Sequence, residues 1–337
     1  EHASETLHRA IPGQKMAGDF CHWRALDGVG LAICVWHDAK PSAIAMSFRV
    51  TKALITAAGP AQRRLPLQTL TDRNGDQKPA LALLLDEMFA AGIEQVGLVH
   101  AKGDRAAYEA VLAPYAEKLT YIEQPEALGY GDAVLCGRDF ADGQPILLQV
   151  SDHLYVSQST KSCTRQLLDV AEAEACAVSA VQPTHESQLQ YYGTVGGAQV
   201  PGRRGLTAIE RVFEKPTPTV AEQHCLLPGL RAGYYLCFFG MHVLTPSLFA
   251  LLAAERQANP TARIGLSPAL NALAAREKYL AAVLDGRRSN LEASFGLLRA
   301  QIALGLSGAS RTDILALLAE ELALAAEVNR TGDQTRS

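Results

Sequence analysis

From residue 52 onward, short runs of β-branched and aliphatic residues alternate with longer stretches whose apolar positions recur at helical spacing. That alternation predicts strand-helix units around a parallel sheet. Residues 52–58 (KALITAA) read as the first strand. Residues 79–91 carry Leu81, Leu84, Leu85 and Met88 on one helical face, Gly92 ends that helix, and 96–99 form the next strand. The pattern repeats as a helix at 104–119, a strand at 119–123, a helix at 131–138 and a fully apolar strand at 145–150. A strand apolar on both faces belongs at the centre of a sheet covered on both sides. Asp152 therefore falls at its carboxyl edge, where open α/β sheets hold their ligands. Further helices are predicted at 164–175, 246–256, 267–276, 290–306 and 311–329, and strands at 177–182 and 279–284. Strands and turns dominate 191–244, which reads as a second layer of sheet crossing the first. The organisation is an N-terminal extension over 1–50 (a β-hairpin and a short helix), a main domain over 51–308, and a C-terminal helix with a frayed tail over 309–337.

Composition narrows the function classes. Of 337 residues, 48% are hydrophobic and 20% charged, a globular balance. No apolar run reaches the roughly 18–20 residues that span a bilayer. The first residues lack the basic-then-apolar order of a secretory leader, so the seven cysteines are expected in a reducing cytoplasm. Cys136 and Cys237, in apolar surroundings, read as buried thiols. A net charge of −4 with dispersed Lys and Arg argues against nucleic acid and a membrane surface, and points to a small-molecule partner. A homo-oligomer is compatible with the sequence but not specified by it.

Several residues carry candidate chemistry. Ala57, Ala58 and Gly59 follow the first strand; side chains this small let a nucleotide lie against backbone N–H groups, and equally suit an ordinary tight turn. Asp152, a hard oxygen ligand at a central strand end, suits a divalent cation bound with phosphates, or caps a turn.

The order of several tracts is similar to that of the bacterial UTP:glucose-1-phosphate uridylyltransferases, within the sugar-phosphate nucleotidyltransferases. The tracts are KALITAAG, KPALALLLDEMFAAGIEQVGLV, GYGDAVL, the apolar strand ending near Asp152, YGTV, VFEKP and FFGMHVLTP, and they cover residues 52 to about 308. The resemblance implies an α/β fold of the nucleotide-diphospho-sugar transferase type: Rossmann-like, with a mixed, mostly parallel sheet between helices. It implies transfer of a nucleotide from a nucleoside triphosphate to a sugar 1-phosphate. Gln124, Gly129 and Gly131 would then read the base, with Ala57, Ala58 and Gly59 along the nucleotide. Gly193, Glu214, Lys215 and Gly240 would hold the sugar phosphate, and Arg63 would steady the triphosphate. Mg²⁺ would be held by Asp152 and, at the second ligand position, Asn290.

The sequence also departs from that family. Its G-x-G-T-R loop reads here Gly59-Pro60-Ala61-Gln62-Arg63, and the segment carrying a loop lysine is shortened, with Arg64 or Lys78 as candidate substitutes. Losing a cation at the triphosphate costs transition-state stabilisation. In the late G-x-x-x-D-x-G stretch, Asn290 replaces the aspartate, and Arg263-Ile264-Gly265-Leu266-Ser267 replaces E-x-Q-L-T. Residues 15–47 resemble a fragment of the metal-dependent phosphatases related to the sporulation stage II phosphatase, with Asp19 at a ligand position; the more economical reading is a structural hairpin. Three functions follow: an active nucleotidyltransferase, a binding or regulatory protein that has kept the pocket but lost turnover, or a structural partner subunit.

Overall fold

The structure, a computed structural model, describes residues 23–25, 32–34, 48–59 and 63–334, with side-chain environments over 48–59 and 63–325. The chain divides into two compact units, residues 1–46 and 47–337. In the first, β1 (Trp23–Ala25) pairs antiparallel with β2 (Ala32–Cys34). The predicted short helix and Asp19 lie outside the described residues.

The second unit opens with β3 (Lys52–Ala57), a small hairpin of β4 (Thr69–Thr71) and β5 (Gln77–Pro79), then α1 (Ala80–Ala90) and β6 (Gln95–Ala101). Next come α2 (Arg105–Leu112), β7 (Leu119–Gln124), α3 (Tyr130–Cys136), α4 (Arg138–Ala141), β8 (Ile146–Val150) and β9 (His153–Ser157). There follow α5 (Cys163–Glu174), β10 (Ala177–His185), β11 (Thr194–Gln199), β12 (Leu206–Phe213) and α6 (Pro218–His224). The chain continues through β13 (Tyr234–Leu244), α7 (Ser247–Ala258), α8 (Leu266–Ala274), β14 (Tyr279–Val283), β15 (Gly286–Asn290), α9 (Gly296–Leu306) and α10 (Arg311–Gln334).

Nine strands form one mixed sheet in the order β10-β14-β12-β11-β13-β8-β3-β6-β7. The strands β8, β3, β6 and β7 run parallel, and β13 joins them antiparallel through Met241–Leu244 against β8. The segment at 191–244 is therefore continuous with the main sheet, not a second layer crossing it. Its longest strand, β13, is buried from Tyr235 to Leu244 and pairs with β10 at 234–238 and 242–243 and with β8 at 241–244. Only those pairings, which no local pattern encodes, place it.

Alternation along the strands sends side chains to two cores. Ala53, Ile55 and Leu147 pack with Leu81, Leu84 and Met88 of α1 and Leu167 and Leu168 of α5. Leu54, Ile146 and Leu148 pack on the other face with Val134 of α3, Leu252 of α7 and Leu270 of α8. Full burial of such side chains contributes roughly 1.5–3 kcal/mol each. The apolar strand predicted at 145–150 is central, as its composition requires. Cys237 is buried, whereas Cys136 is only partly so. Among the described residues, no helix is long and apolar enough to cross a membrane.

The core also encloses histidines. His242 on β13 is 3% exposed and meets the Ser179 hydroxyl, which in turn meets Tyr279. Burial pushes the pKa values of His242 and His153 down to about 3, with Arg288 adding to the effect at His153. Between there and the unfolded value of roughly 6.5 the unfolded chain binds more protons, so stability falls with acidification below about 6.5. From pH 6.5 to 5 the loss is expected to be about 2 kcal/mol per histidine. Urea unfolding at pH 7 and pH 5 should show a smaller loss in His242→Asn than in the parent. Equal losses would contradict the assignment.

Candidate active site

A cavity of about 560 Å³ opens where β3, β7 and the β8–β9 turn end together. Its floor takes Thr56, Ala58 and Gly59 from the end of β3. Ala57 points the other way, fully buried, with its carbonyl accepting from the Tyr108 hydroxyl of α2 at 3.3 Å. Pro60, Ala61 and Gln62 lie outside the described residues.

The cations expected on the triphosphate are engaged elsewhere. Arg63 forms a two-pronged ion pair with Asp104, ahead of α2, and is not part of the cavity wall. Lys78 bridges Asp86 at 2.9 Å and Asp72 at 3.3 Å; the Asp86 contact leads in raising its pKa. Among the described residues, the wall instead carries Lys215 and Arg263. The segment before α8 brings Arg263 there, so the stretch read as lacking an acidic contact contributes a cation to the wall. The sequence marked the change but not where the side chain would sit.

Gln124, expected to read a base, closes β7, is 5% exposed and lines the cavity. Its Nε2 donates to the Gly129 carbonyl at 3.2 Å and to Asp132 at 2.7 Å, and Asp132 is held by Arg256 at 2.7 Å. With both amide hydrogens used, Gln124 can offer a ligand only its carbonyl oxygen, not the donor-acceptor pair expected of a free amide. Gly129, at φ +105°, borders the cavity; Gly131 does not, and packs where a Cβ would sit 2.5 Å from the Gly265 carbonyl oxygen. That contact is zipped by Gly131 N–H to Ile264 at 3.0 Å and Ile264 N–H to Leu128 at 2.8 Å. Gly131 thus shapes the site through packing and is not part of the cavity wall.

Asp152, 5% exposed, sits in the turn between β8 and β9. The ribbon of β9 and β15 pairs Asn290 with His153, and the Leu291 N–H donates to the Asp152 carbonyl at 2.8 Å. Asn290 is consequently the end of a strand, not the start of the helix its sequence context predicted, and it borders the same cavity as Asp152. Its side-chain carbonyl accepts from the Glu292 N–H at 2.9 Å, and Glu292 also lines the wall. Glu292 thus places a carboxylate in the wall two residues beyond the neutral Asn290.

An inner chamber of about 260 Å³ adjoins this cavity, and Tyr130, Val150, His153, Tyr191, Tyr192 and Glu214 face both. Gly193 and Gly240 line it. A Cβ on Gly193 would meet the Phe238 ring at 2.7 Å, and one on Gly240 would meet His153 Nδ1 at 2.5 Å. Glu214 accepts from the Ser267 hydroxyl at 2.6 Å. Lys215 takes a left-handed φ of +46°, a strained backbone for a residue with a Cβ, and its Nζ lies 4.0 Å from Glu214. Behind the chamber, Arg288 stacks 3.5 Å from the Tyr192 ring centroid and donates to the Phe238 carbonyl. Tyr130, Tyr191, His153 and Arg288 were not singled out in the sequence, whereas Tyr192 stood beside Gly193 in the YGTV tract matched to the sugar-phosphate site; the run Ser151-Asp152-His153 was the other signal that pointed there.

A mixed sheet lies between two helical layers, and a cleft at its strand ends holds carboxylate, amide and lysine groups. The chain belongs to the nucleotidyl transferase family, whose profile matches residues 52–287. It is 27% identical over 285 residues to the UTP–glucose-1-phosphate uridylyltransferase of Streptococcus pneumoniae serotype 4, covering 76% of this chain and 91% of that one. A Streptococcus pyogenes UTP–glucose-1-phosphate uridylyltransferase is 26% identical over 284 residues, covering 75% and 88%. Among solved structures, UDP-glucose pyrophosphorylase in complex with UDP-glucose superposes with a TM-score of 0.62 at 22% identity, over 75% of this chain and 98% of that chain. The Acinetobacter baumannii UDP-glucose pyrophosphorylase gives 0.63 at 22%, over 81% and 99%. These structural likenesses establish the fold.

Proposed function

We propose that the protein is a sugar-1-phosphate nucleotidyltransferase that converts UTP and glucose 1-phosphate to UDP-glucose and pyrophosphate. The observation that carries this reading is the joining of two chambers at one strand edge. The outer has Gln124, Asp152 and Asn290 on its wall, the inner has Gly193 and Gly240, and Glu214 faces both. In the reaction, an oxygen of the sugar phosphate attacks the α-phosphorus of UTP in line. A new P–O bond forms as the bond to the β-phosphate oxygen breaks, and pyrophosphate leaves. The nucleophile is already ionised, so no general base is required, and the protein's task is positioning and charge stabilisation. Lys215 holds the sugar phosphate, Arg263 faces the leaving group, and the Gln124 carbonyl accepts from the base. Arg63 has no direct part while paired with Asp104.

The oxygen donors fit Mg²⁺, which binds through one or two protein oxygens together with substrate phosphates. Asp152 and Asn290 would hold it, with Glu292 beside them, and when bound it supplies neutralisation of phosphate charge. A cytoplasmic setting, where both substrates are made, accords with this reading.

A second reading, a binding protein without turnover, is favoured by the pairing of Arg63 with Asp104 and by the neutral Asn290. Pyrophosphate release measured with four nucleoside triphosphates against several sugar 1-phosphates decides between them. UDP-glucose that raises the melting temperature without any release would support the binding protein.

The engaged amide of Gln124 makes a sharper prediction. Its carbonyl accepts from the ring N–H of uracil but faces a lone pair on the corresponding nitrogen of cytosine. Uridine nucleotides should bind at least tenfold more tightly than cytidine nucleotides, and Gln124→Ala should compress that ratio to within about threefold. An unchanged ratio in titration calorimetry would remove Gln124 from the base site.

A further inference from the structure

We propose that a second cavity, at the opposite end of β9 from His153, is a ligand site for a small phosphate monoester. The inference does not depend on the nucleotidyltransferase reading. The cavity, of about 430 Å³, lies where the ends of α1, β9 and α9 meet the start of α5 and the β4–β5 turn, and it shares no lining residue with the two chambers described above. Its volume falls within the range of small-molecule sites. One wall is fixed in advance: Gln166 Nε2 lies 3.0 Å from Ser157 Oγ, 3.1 Å from Ser159 Oγ and from the Lys161 carbonyl, and 3.2 Å from the Asp285 carbonyl, which ties the 157–161 loop to α5. A wall already ordered lowers the entropic cost of binding.

The lining defines the chemistry of the ligand. It carries three cations, Arg73, Lys161 and Arg165, together with hydroxyls that include Ser159 and Thr160. Arg73 makes no hydrogen bond or ion pair among the described residues, so its guanidinium fork is available to a ligand. Its backbone is held, because a Cβ on Gly308, in the turn after α9, would fall on the Arg73 carbonyl oxygen. Lys161 and Arg165 share Asp169, at 2.6 and 2.7 Å, and Arg165 also holds Glu172 at 2.5 Å, but neither acid belongs to the lining. Among the described residues, the one acid that does is Glu87. Its Oε1 accepts from the Thr164 N–H at 2.9 Å and hydroxyl at 3.0 Å, and burial pushes its pKa up. It therefore repels an anion less than a free carboxylate would. An arginine fork beside an ammonium and hydroxyl donors matches the three oxygens and double charge of a phosphate monoester better than the two oxygens and single charge of a carboxylate.

Calorimetry with ribose 5-phosphate, ribose and gluconate tests the assignment on the parent, Arg73→Gln, Lys161→Gln and Lys215→Gln. The parent is expected to bind ribose 5-phosphate at least tenfold more tightly than gluconate, and ribose not at all. Arg73→Gln should weaken the phosphate about tenfold or more and Lys161→Gln at least threefold. Both side chains are exposed, so melting temperatures should stay at the parent value. In Lys215→Gln, which alters only the outer chamber, this binding event should persist within about twofold. A loss confined to Lys215→Gln would put the phosphate in the outer chamber alone and overturns the inference. Absence of ribose 5-phosphate binding, or gluconate bound as tightly, overturns it as well. Binding lost in Arg73→Gln, by a parent that releases no pyrophosphate from UTP, upholds this site and sinks only the proposed function.

Discussion

Asp152→Asn is expected to lower pyrophosphate release at least a hundredfold and to abolish its dependence on Mg²⁺ in the millimolar range. Asp152 is 5% exposed in the turn after β8, so the charge it would bring to a metal would act in a site with little competing water. Exchanging it for an amide of nearly the same shape removes charge without removing volume, and folding should be little changed. A hundredfold loss corresponds to about 2.7 kcal/mol of transition-state stabilisation. Direct titration with Mn²⁺ in the presence of UTP gives a readout apart from turnover and should show the same weakening. The opposite change, Asn290→Asp, restores a negative ligand on the paired strand and should tighten the metal. Glu292→Gln should loosen it, because this carboxylate stands in the same wall. If Asp152→Asn retains activity within threefold of an active parent, the metal assignment is wrong.

The largest effect on stability is expected at Gly129. Its backbone, at φ +105° and ψ 172°, lies in a region that residues with a Cβ scarcely enter, at a cost of about 1–3 kcal/mol. Space compounds the strain: a Cβ there would fall on the Ile264 carbonyl oxygen, well inside contact distance. Relief requires moving the segment before α8, which would break the hydrogen bonds from Ile264 and Gly131 that join it to the 128–131 turn. Gly129→Ala should therefore cost about 3 kcal/mol or more, or roughly 6–12 °C in melting temperature for a domain of this size. Gly143→Ala is the comparison, since Gly143 has φ +67° but nothing within 4 Å of a Cβ. It should cost about 1 kcal/mol. Equal losses in urea unfolding would show that the clash with Ile264 is not what requires glycine at 129.

The alternation of apolar strands with amphipathic helices was sufficient by itself to specify an α/β sheet with a central strand at 145–150, observed as Ile146–Val150. It also placed Asp152 and Gln124 at strand ends, because hydrophobic period and turn residues are local properties of the chain. Asn290 was misplaced on a helix because Gly286–Asn290 carries no apolar period of its own; pairing with β9 makes it a strand. The same holds for β13, whose position depends on contacts with β8 and β10, remote in sequence. Which cations face the cavity was likewise undetermined by residue type. Arg63 and Lys78 are drawn off by Asp104, Asp72 and Asp86, while Arg263 is carried to the wall by backbone hydrogen bonds to the Leu128–Gly131 turn. His153 stood next to the strongest candidate in the sequence, yet only the packing of Tyr155, Tyr192 and Gly240 around it buries its ring between the two chambers. Local sequence determines what each segment becomes, but charge pairing and burial are sums over distant neighbours, and those exist only once the chain has folded.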